Sequence, residues 1–349
     1  MVQDICPSPP GSRGQRFRLG VALALLGSLL AACGGSSSSK SITLYNGQHQ
    51  QTTLKLVAQF EKLTGITVNV RSNDERALAA QITAEGSGSP ADVVYAENSP
   101  SLEYLQNKGL LSPVTPATLA HTPSRYNSPQ GDWVGVSGRV SVLVYNTKLL
   151  KPSQLPTSVM ELAQPQWKGK LAFAAGETDF QPVVTSVART YGDAAALRWL
   201  DGIKANAARI YPDNETVTDE INRGQAAVGV IDQYYWYRQR AQLGASGVHS
   251  ALAYFAPRDP GYVIDVSGAA VLKSSSHQAA SQKLLAFLVS AQGQQIISHS
   301  DSFEYPIASG VKSAQPETPF AKLQANPIGV GALGDGSKAL ALLQKAQLL

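Results

Sequence analysis

Four side chains of this sequence could together hold a hard, highly charged cation: His49, Glu97, Tyr234 and Tyr235. They supply one imidazole, one carboxylate and two phenols, with no sulfur. Hard cations prefer anionic oxygen donors. Two phenolates and a carboxylate cancel a charge of 3+, and a neutral imidazole leaves that sum unchanged. A phenol has a pKa of about 10 in water, so a weak Lewis acid would leave both protons in place at neutral pH. Ferric iron is acidic enough to displace them. A zinc site would more often show several His or Cys ligands. Five histidines are present, and only His49 falls at an expected strand end beside an acid-bearing rim.

Each of these residues also has an ordinary reading. Tyr234-Tyr235-Trp236-Tyr237 fits an aromatic core cluster, or a stacking surface for a small organic solute. A single Glu97 after a strand fits a solvated loop acid, and a single His49 fits a surface histidine. Only the constellation singles out a metal. It also carries a geometric condition, because successive side chains of a strand point to opposite faces. Both tyrosines reach one ion only if the backbone has already turned from strand into helix. Trp236-Tyr237-Arg238 can continue such a helix.

The elements needed to position these residues are legible. Ile42 to Tyr45 reads as a strand, and Leu56, Phe60 and Leu63 recur at helical spacing up to Gly65. Ile66, Val68 and Val70 alternate as a second strand. Asp74 can cap a helix carrying Leu78 and Ile82 and ending near Gly86. Asp92 to Tyr95 is a third strand, followed by a short helix over Ser101 to Lys108 closed by Gly109. This alternation argues for a parallel sheet covered by helices, with ligands beyond the C-terminal strand ends. The turns at Gln48–His49 and Ala96–Glu97 then share one rim. Further strands are expected at Val140 to Tyr145, Leu171 to Ala174, Ala226 to Ile231 and Val263 to Leu272, and a helix at Ala279 to Leu288.

The N-terminus carries a different signal. Arg13, Arg16 and Arg18 precede the apolar run Leu19 to Leu30, which is too short for a comfortable membrane span of ~20 residues. Leu30-Ala31-Ala32-Cys33 resembles a lipobox, which implies a signal peptide over 1–32, lipidation at Cys33 and a flexible tether over 33–40. Cys6 and Cys33 are the only cysteines, so no disulfide and no thiolate site is expected beyond the tether. A formal charge of +4, part of it in the leader, makes no case for nucleic acid. No Ser-His-Asp spacing, phosphate loop or HExxH motif points to an enzyme.

Ser41 to Leu349 resembles the bacterial periplasmic ferric iron-binding proteins, the receptors of ferric-iron ABC importers. The resemblance rests on four stretches. They are Leu44-Tyr45-Asn46-Gly47-Gln48-His49, Ser89-Pro90-Ala91-Asp92-Val93-Val94-Tyr95-Ala96-Glu97, Ile231-Asp232-Gln233-Tyr234-Tyr235-Trp236, and Arg258-Asp259-Pro260-Gly261 leading to Ser267-Gly268-Ala269-Ala270-Val271-Leu272. It implies that His49, Glu97, Tyr234 and Tyr235 bind Fe3+. It also implies a type II periplasmic-binding α/β fold of two lobes, each a mixed, mainly parallel sheet flanked by helices and joined by crossing hinge strands. The lobes would comprise 41–139 plus 267–300 and 140–266 plus 301–349. The implied partner is an ABC permease, and the protein would act as a lipid-anchored monomer on the extracytoplasmic face of the membrane.

One stretch departs from the family pattern. Many members hold a synergistic anion, often phosphate, at a small-residue turn that opens a helix. The corresponding turn here is Ala175-Gly176-Glu177-Thr178-Asp179-Phe180, and Glu177 and Asp179 would repel phosphate. Asp232 stands where relatives commonly carry an amide. The expectation is that a carboxylate, water or a small carbonate completes the iron shell, with Arg139 and Asn214 near that corner. The competing reading is a binding protein for a small organic solute held by the aromatic cluster.

Overall fold

The computed structural model describes residues 41–315 and 318–349, so the expected signal peptide, tether and lipidation site Cys33 lie outside the described residues. The first segment alternates as expected: β1 (Ser41–Asn46), α1 (Gln50–Thr64), β2 (Thr67–Ser72), α2 (Glu75–Glu85), β3 (Val93–Ala96) and α3 (Ser99–Asn107). Leu56 and Phe60 are the buried stripe of α1, whereas Leu63 is exposed. Gly65 ends α1 at φ 65°, a left-handed conformation open to glycine at no steric cost. Asp74 caps α2 by accepting from the Ala77 N–H. Strand β1 lies between β2 and β3, parallel to both.

Two short elements, β4 (Leu111–Ser112) and α4 (Pro116–Leu119), lead to β5 (Val134–Asn146), thirteen residues buried throughout. The sequence pattern showed only its second half, because Gly135, Ser137, Gly138 and Arg139 interrupt the apolar run. Burial on both faces lets the strand continue through them. Then follow β6 (Leu171–Phe173), α5 (Phe180–Tyr191), α6 (Asp193–Asn206), β7 (Ala207–Ile210), α7 (Asn214–Arg223), β8 (Val228–Asp232), α8 (Gln233–Gly247) and β9 (Ser250–Ala253). The chain closes with β10 (Ile264–Leu272), α9 (Gln278–Leu288), α10 (Ala291–Ser298), β11 (Tyr305–Pro306), α11 (Val330–Leu333) and α12 (Ser337–Lys345).

The strand order is β2-β1-β3-β10-β5-β8-β6-β7. The outer strands pair in parallel, and the central β10 and β5 run antiparallel to their neighbours. Strand β5 joins the two halves. Its first part pairs with β10 between Val134 and Val140, and its second part pairs with β8 between Ser141 and Tyr145. Arg139 sits at that changeover. This is the mixed α/β architecture with crossing strands that the sequence led us to expect.

Candidate metal centre

The tyrosine pair satisfies its geometric condition. Strand β8 ends at Asp232, and Tyr234 and Tyr235 fall in the first turn of α8. Consecutive helical residues are rotated by about 100° rather than 180°, so both phenols can face one point. Their ring centroids are 4.1 Å apart. Gln233 fixes the helix start against the changeover strand, accepting from the Val140 N–H at 2.8 Å and donating to the Phe303 carbonyl at 3.1 Å.

His49 is the N-cap of α1 and is held by its neighbours. Gln48 Oε1 accepts from the His49 N–H at 2.6 Å, and Asn46 Nδ2 donates to the Gln48 carbonyl at 2.8 Å. Gly47 permits this turn to press on α2: a Cβ there would lie 2.6 Å from Glu75 Cβ. The imidazole meets the Tyr234 ring edge-on at 5.1 Å. Its Nε2 is buried with no hydrogen-bond partner and stands 3.6 Å from Glu97 Oε1. Burial pushes the His49 pKa down to about 4, so the ring is neutral at pH 7 and its contact with Glu97 is not an ion pair.

The oxygens converge. Tyr234 Oη donates to Glu97 Oε1 at 2.8 Å and reaches Asp179 Oδ2 at 3.2 Å. Tyr235 Oη donates to the same Asp179 Oδ2 at 2.7 Å. An oxygen octahedron with bonds of about 2.0–2.1 Å, as a small hard cation makes, has edges of about 2.9 Å. The observed oxygen separations bracket that edge. Among the described residues no group of three or more His, Cys, Asp or Glu side chains could hold a metal by itself. The phenols are what complete the set. Burial, then Asp179 and Glu97, hold both phenol pKa values well above the usual value. Burial also raises Glu97, opposed by the Arg139 guanidinium.

The structure sorts the residues of the departing turn. Asp179 joins the centre, 7% exposed, with Oδ1 accepting from Asn98 Nδ2 at 2.8 Å. Asn214 approaches the same carboxylate at 3.4 Å. Glu177 stays half-buried at the margin, its pKa pushed up to about 8 by burial and by Asp179. Thr178 turns away, lining a separate cavity with Arg76 and Tyr104. Asp232 lies behind Asp179 in a small internal gap lined also by Ser141 and Asn214.

Arg139 is fully buried beneath the centre. Its guanidinium lies 3.1 Å from Glu97 Oε1, 3.7 Å from Asp179 Oδ1 and 3.3 Å from the Asn98 side-chain oxygen, and pairs with Glu304. Glu304 in turn accepts from Gln48 at 3.1 Å and Ser137 at 3.0 Å. Sequence reasoning missed Glu304 altogether. Nothing local in Ser302-Phe303-Glu304-Tyr305 marks it, since its partners lie more than 160 residues away.

Comparison with known proteins identifies the family. Residues 88–326 match the family described as bacterial extracellular solute-binding protein. The chain is 36% identical over 333 residues to the Fe(3+)-binding periplasmic protein of Serratia marcescens, covering 95% of this chain and 98% of the relative. It is 35% identical to the major ferric iron-binding protein of Neisseria meningitidis, covering 95% and 99%. Iron-bound HitA from Pseudomonas aeruginosa superposes with a TM-score of 0.83 at 39% identity, covering 88% of this chain and 99% of that one. This is a family of transport proteins and not of enzymes. The chain belongs to the bacterial extracellular solute-binding proteins, in the branch whose relatives are periplasmic ferric iron-binding proteins.

Proposed function

We propose that this protein captures ferric iron outside the cytoplasm and delivers it to an ABC permease. His49, Glu97, Tyr234 and Tyr235 are the ligands, and Asp179 is the built-in carboxylate that completes the shell. The observation that carries this reading is the set of short separations among the phenol and carboxylate oxygens, with an unpartnered imidazole nitrogen beside them. Arg139 does not serve an external anion, because its guanidinium is engaged by Glu304 and Glu97. We assign His49 and Glu97 to the lobe 41–139 plus 267–300, and the tyrosines and Asp179 to the lobe 140–266 plus 301–349. Closing the lobes then brings both ligand sets onto one ion, a population shift driven by the ion itself. Lipidation at Cys33 would keep the monomeric receptor at the membrane, within reach of the permease. The test is the visible spectrum with ferric ion. A tyrosinate-to-iron charge-transfer band is expected, strongly reduced in Tyr235→Phe. A colourless protein at saturating ferric ion would rule the reading out.

A further inference from the structure

A cavity of about 160 Å3 lies apart from the ligand side chains, between α2 and α3 on one side and α5 and α12 on the other. Arg76, Ala80 and Tyr104 line the first side, and Gln181, Asp335 and Leu340 the second. Gln181 gives the cavity a chemical demand. The residue is 3% exposed, and its Nε2 is buried with no hydrogen-bond partner among the described residues. Its amide oxygen faces Gly336, where a Cβ would collide with it, so the nitrogen is the group left to a ligand. A buried donor without an acceptor costs free energy that a ligand oxygen recovers. The rest of the wall says what should carry that oxygen. Ala80, Leu340 and the Tyr104 ring are largely apolar, and a void of about 150 Å3 takes one benzene ring. Arg76 and Asp335 bring one charge of each sign, so an ion of either sign would meet a like charge. The Arg76 guanidinium approaches Asp74 at 4.0 Å and can lie over an aromatic face. Asp335 accepts from the Ser337 N–H at 3.1 Å and from Asn107 Nδ2 at 3.2 Å, and keeps lone pairs for a further donor.

We propose that this cavity binds a small uncharged aromatic amide, its carbonyl on Gln181 Nε2 and its NH2 group toward Asp335. On the lobe division proposed above, Arg76, Ala80 and Tyr104 belong to one lobe, and Gln181, Asp335 and Leu340 to the other. A molecule seated there touches both lobes and favours their closed arrangement, the one that gathers the metal ligands. Amide and ferric ion then tighten each other's binding, by the same factor in each direction. This coupling rests on the ferric reading, whereas the affinity of the cavity for the amide does not.

The probe is benzamide, titrated calorimetrically into the iron-free protein. Saturable binding is expected. Benzoate, which lacks the NH2 group and sets a charge against Asp335, should bind about tenfold more weakly. Gln181→Met removes the orphaned donor at similar side-chain length, and should weaken benzamide binding by about fivefold. Ala80→Leu, a good helix former at an exposed position of α2, should fill the cavity and abolish binding while the protein still folds. No binding to the parent protein, undiminished binding to either variant, or benzoate binding as tightly as benzamide overturns the proposal. The benzamide titration is repeated on ferric-loaded protein, where an unchanged affinity overturns the bridging of the lobes. The charge-transfer band is read on the same samples. Benzamide binding without that band fails the metal centre alone, and the band without benzamide binding fails the cavity alone.

Discussion

If His49, Glu97, Tyr234 and Tyr235 hold the ion as proposed, loading must expel protons, and their number follows from those side chains. Tyr234 and Tyr235 are buried against Asp179 and Glu97, which keeps their phenols protonated at every pH below the ordinary tyrosine range. Bound to a ferric ion, both are phenolates. Lowering the pH supplies the protons that compete with the ion, so acid weakens binding and alkali strengthens it. Two protons per ion make the apparent affinity rise about a hundredfold per pH unit, or about 2.7 kcal/mol. Glu97, whose carboxyl burial also pushes up, adds a third proton where it is still protonated, so the dependence steepens toward acid. His49 contributes nothing near neutrality, because burial holds its pKa down to about 4. The assay is a pH-stat titration of iron-free protein with ferric nitrilotriacetate between about pH 7 and 8, after subtracting the chelator's own proton uptake. Release of one proton or none would refute ligation by both phenols.

Three substitutions probe the parts around the ion. Asp179→Asn keeps the shape but deletes a charge, so ferric affinity should fall by about tenfold or more; added carbonate or phosphate should restore part of it in the variant and not in the parent, as read from the visible band. Arg139→Met strands Glu304 and Glu97 without their buried counter-charge. Breaking a buried pair costs about 3–5 kcal/mol, visible as a lowered thermal midpoint at pH 7, and an unchanged midpoint would contradict the role given to Arg139. Gly47→Ala drives a methyl to 2.6 Å from Glu75 Cβ. Overpacking of this kind costs about 1–3 kcal/mol by thermal denaturation and should displace His49 enough to weaken iron binding as well.

The segment from β1 to α3 was legible because its information is local. Apolar spacing, Asp74 at a helix start and Gly65 at a helix end each mark an element within a few residues of itself. The helices α5 to α7 were not picked out from periodicity. In α5 the spacing of Phe180, Val183, Val184 and Val187 is helical, but Pro182 inside the run reads as a helix breaker. The site divides along the same line. His49, Glu97, Tyr234 and Tyr235 sit at element ends that the pattern locates. Asp179 was legible as a charge at the wrong place for phosphate, but its contact with both phenols depends on the fold setting the start of α5 beside the start of α8. Glu304 was invisible, because only the folded chain brings it beneath β5.

With the proposed ligand set, the charges of the centre argue against a need for an external anion. Two phenolates, Glu97 and Asp179 contribute four negative charges, and a ferric ion contributes three positive ones. Glu304 adds a fifth negative charge, and Arg139, fully buried and within 3.7 Å of Glu97 and Asp179, offsets one of the two that the ion leaves. Glu304 holds Arg139 in place, and Gln48 and Ser137 satisfy its remaining lone pairs. The loaded centre thus keeps a net negative charge before any anion is recruited. Adding phosphate would bury further negative charge with no cation left to meet it, at a cost that hydrogen bonds from a helix end could not offset. A divalent ion would leave one more negative charge unmatched, and the cheaper outcome is that one phenol keeps its proton and gives up its bond. On the proposed ligand set, Asp179 in place of a recruited anion would make the same residues both independent of an external anion and selective for a trivalent ion.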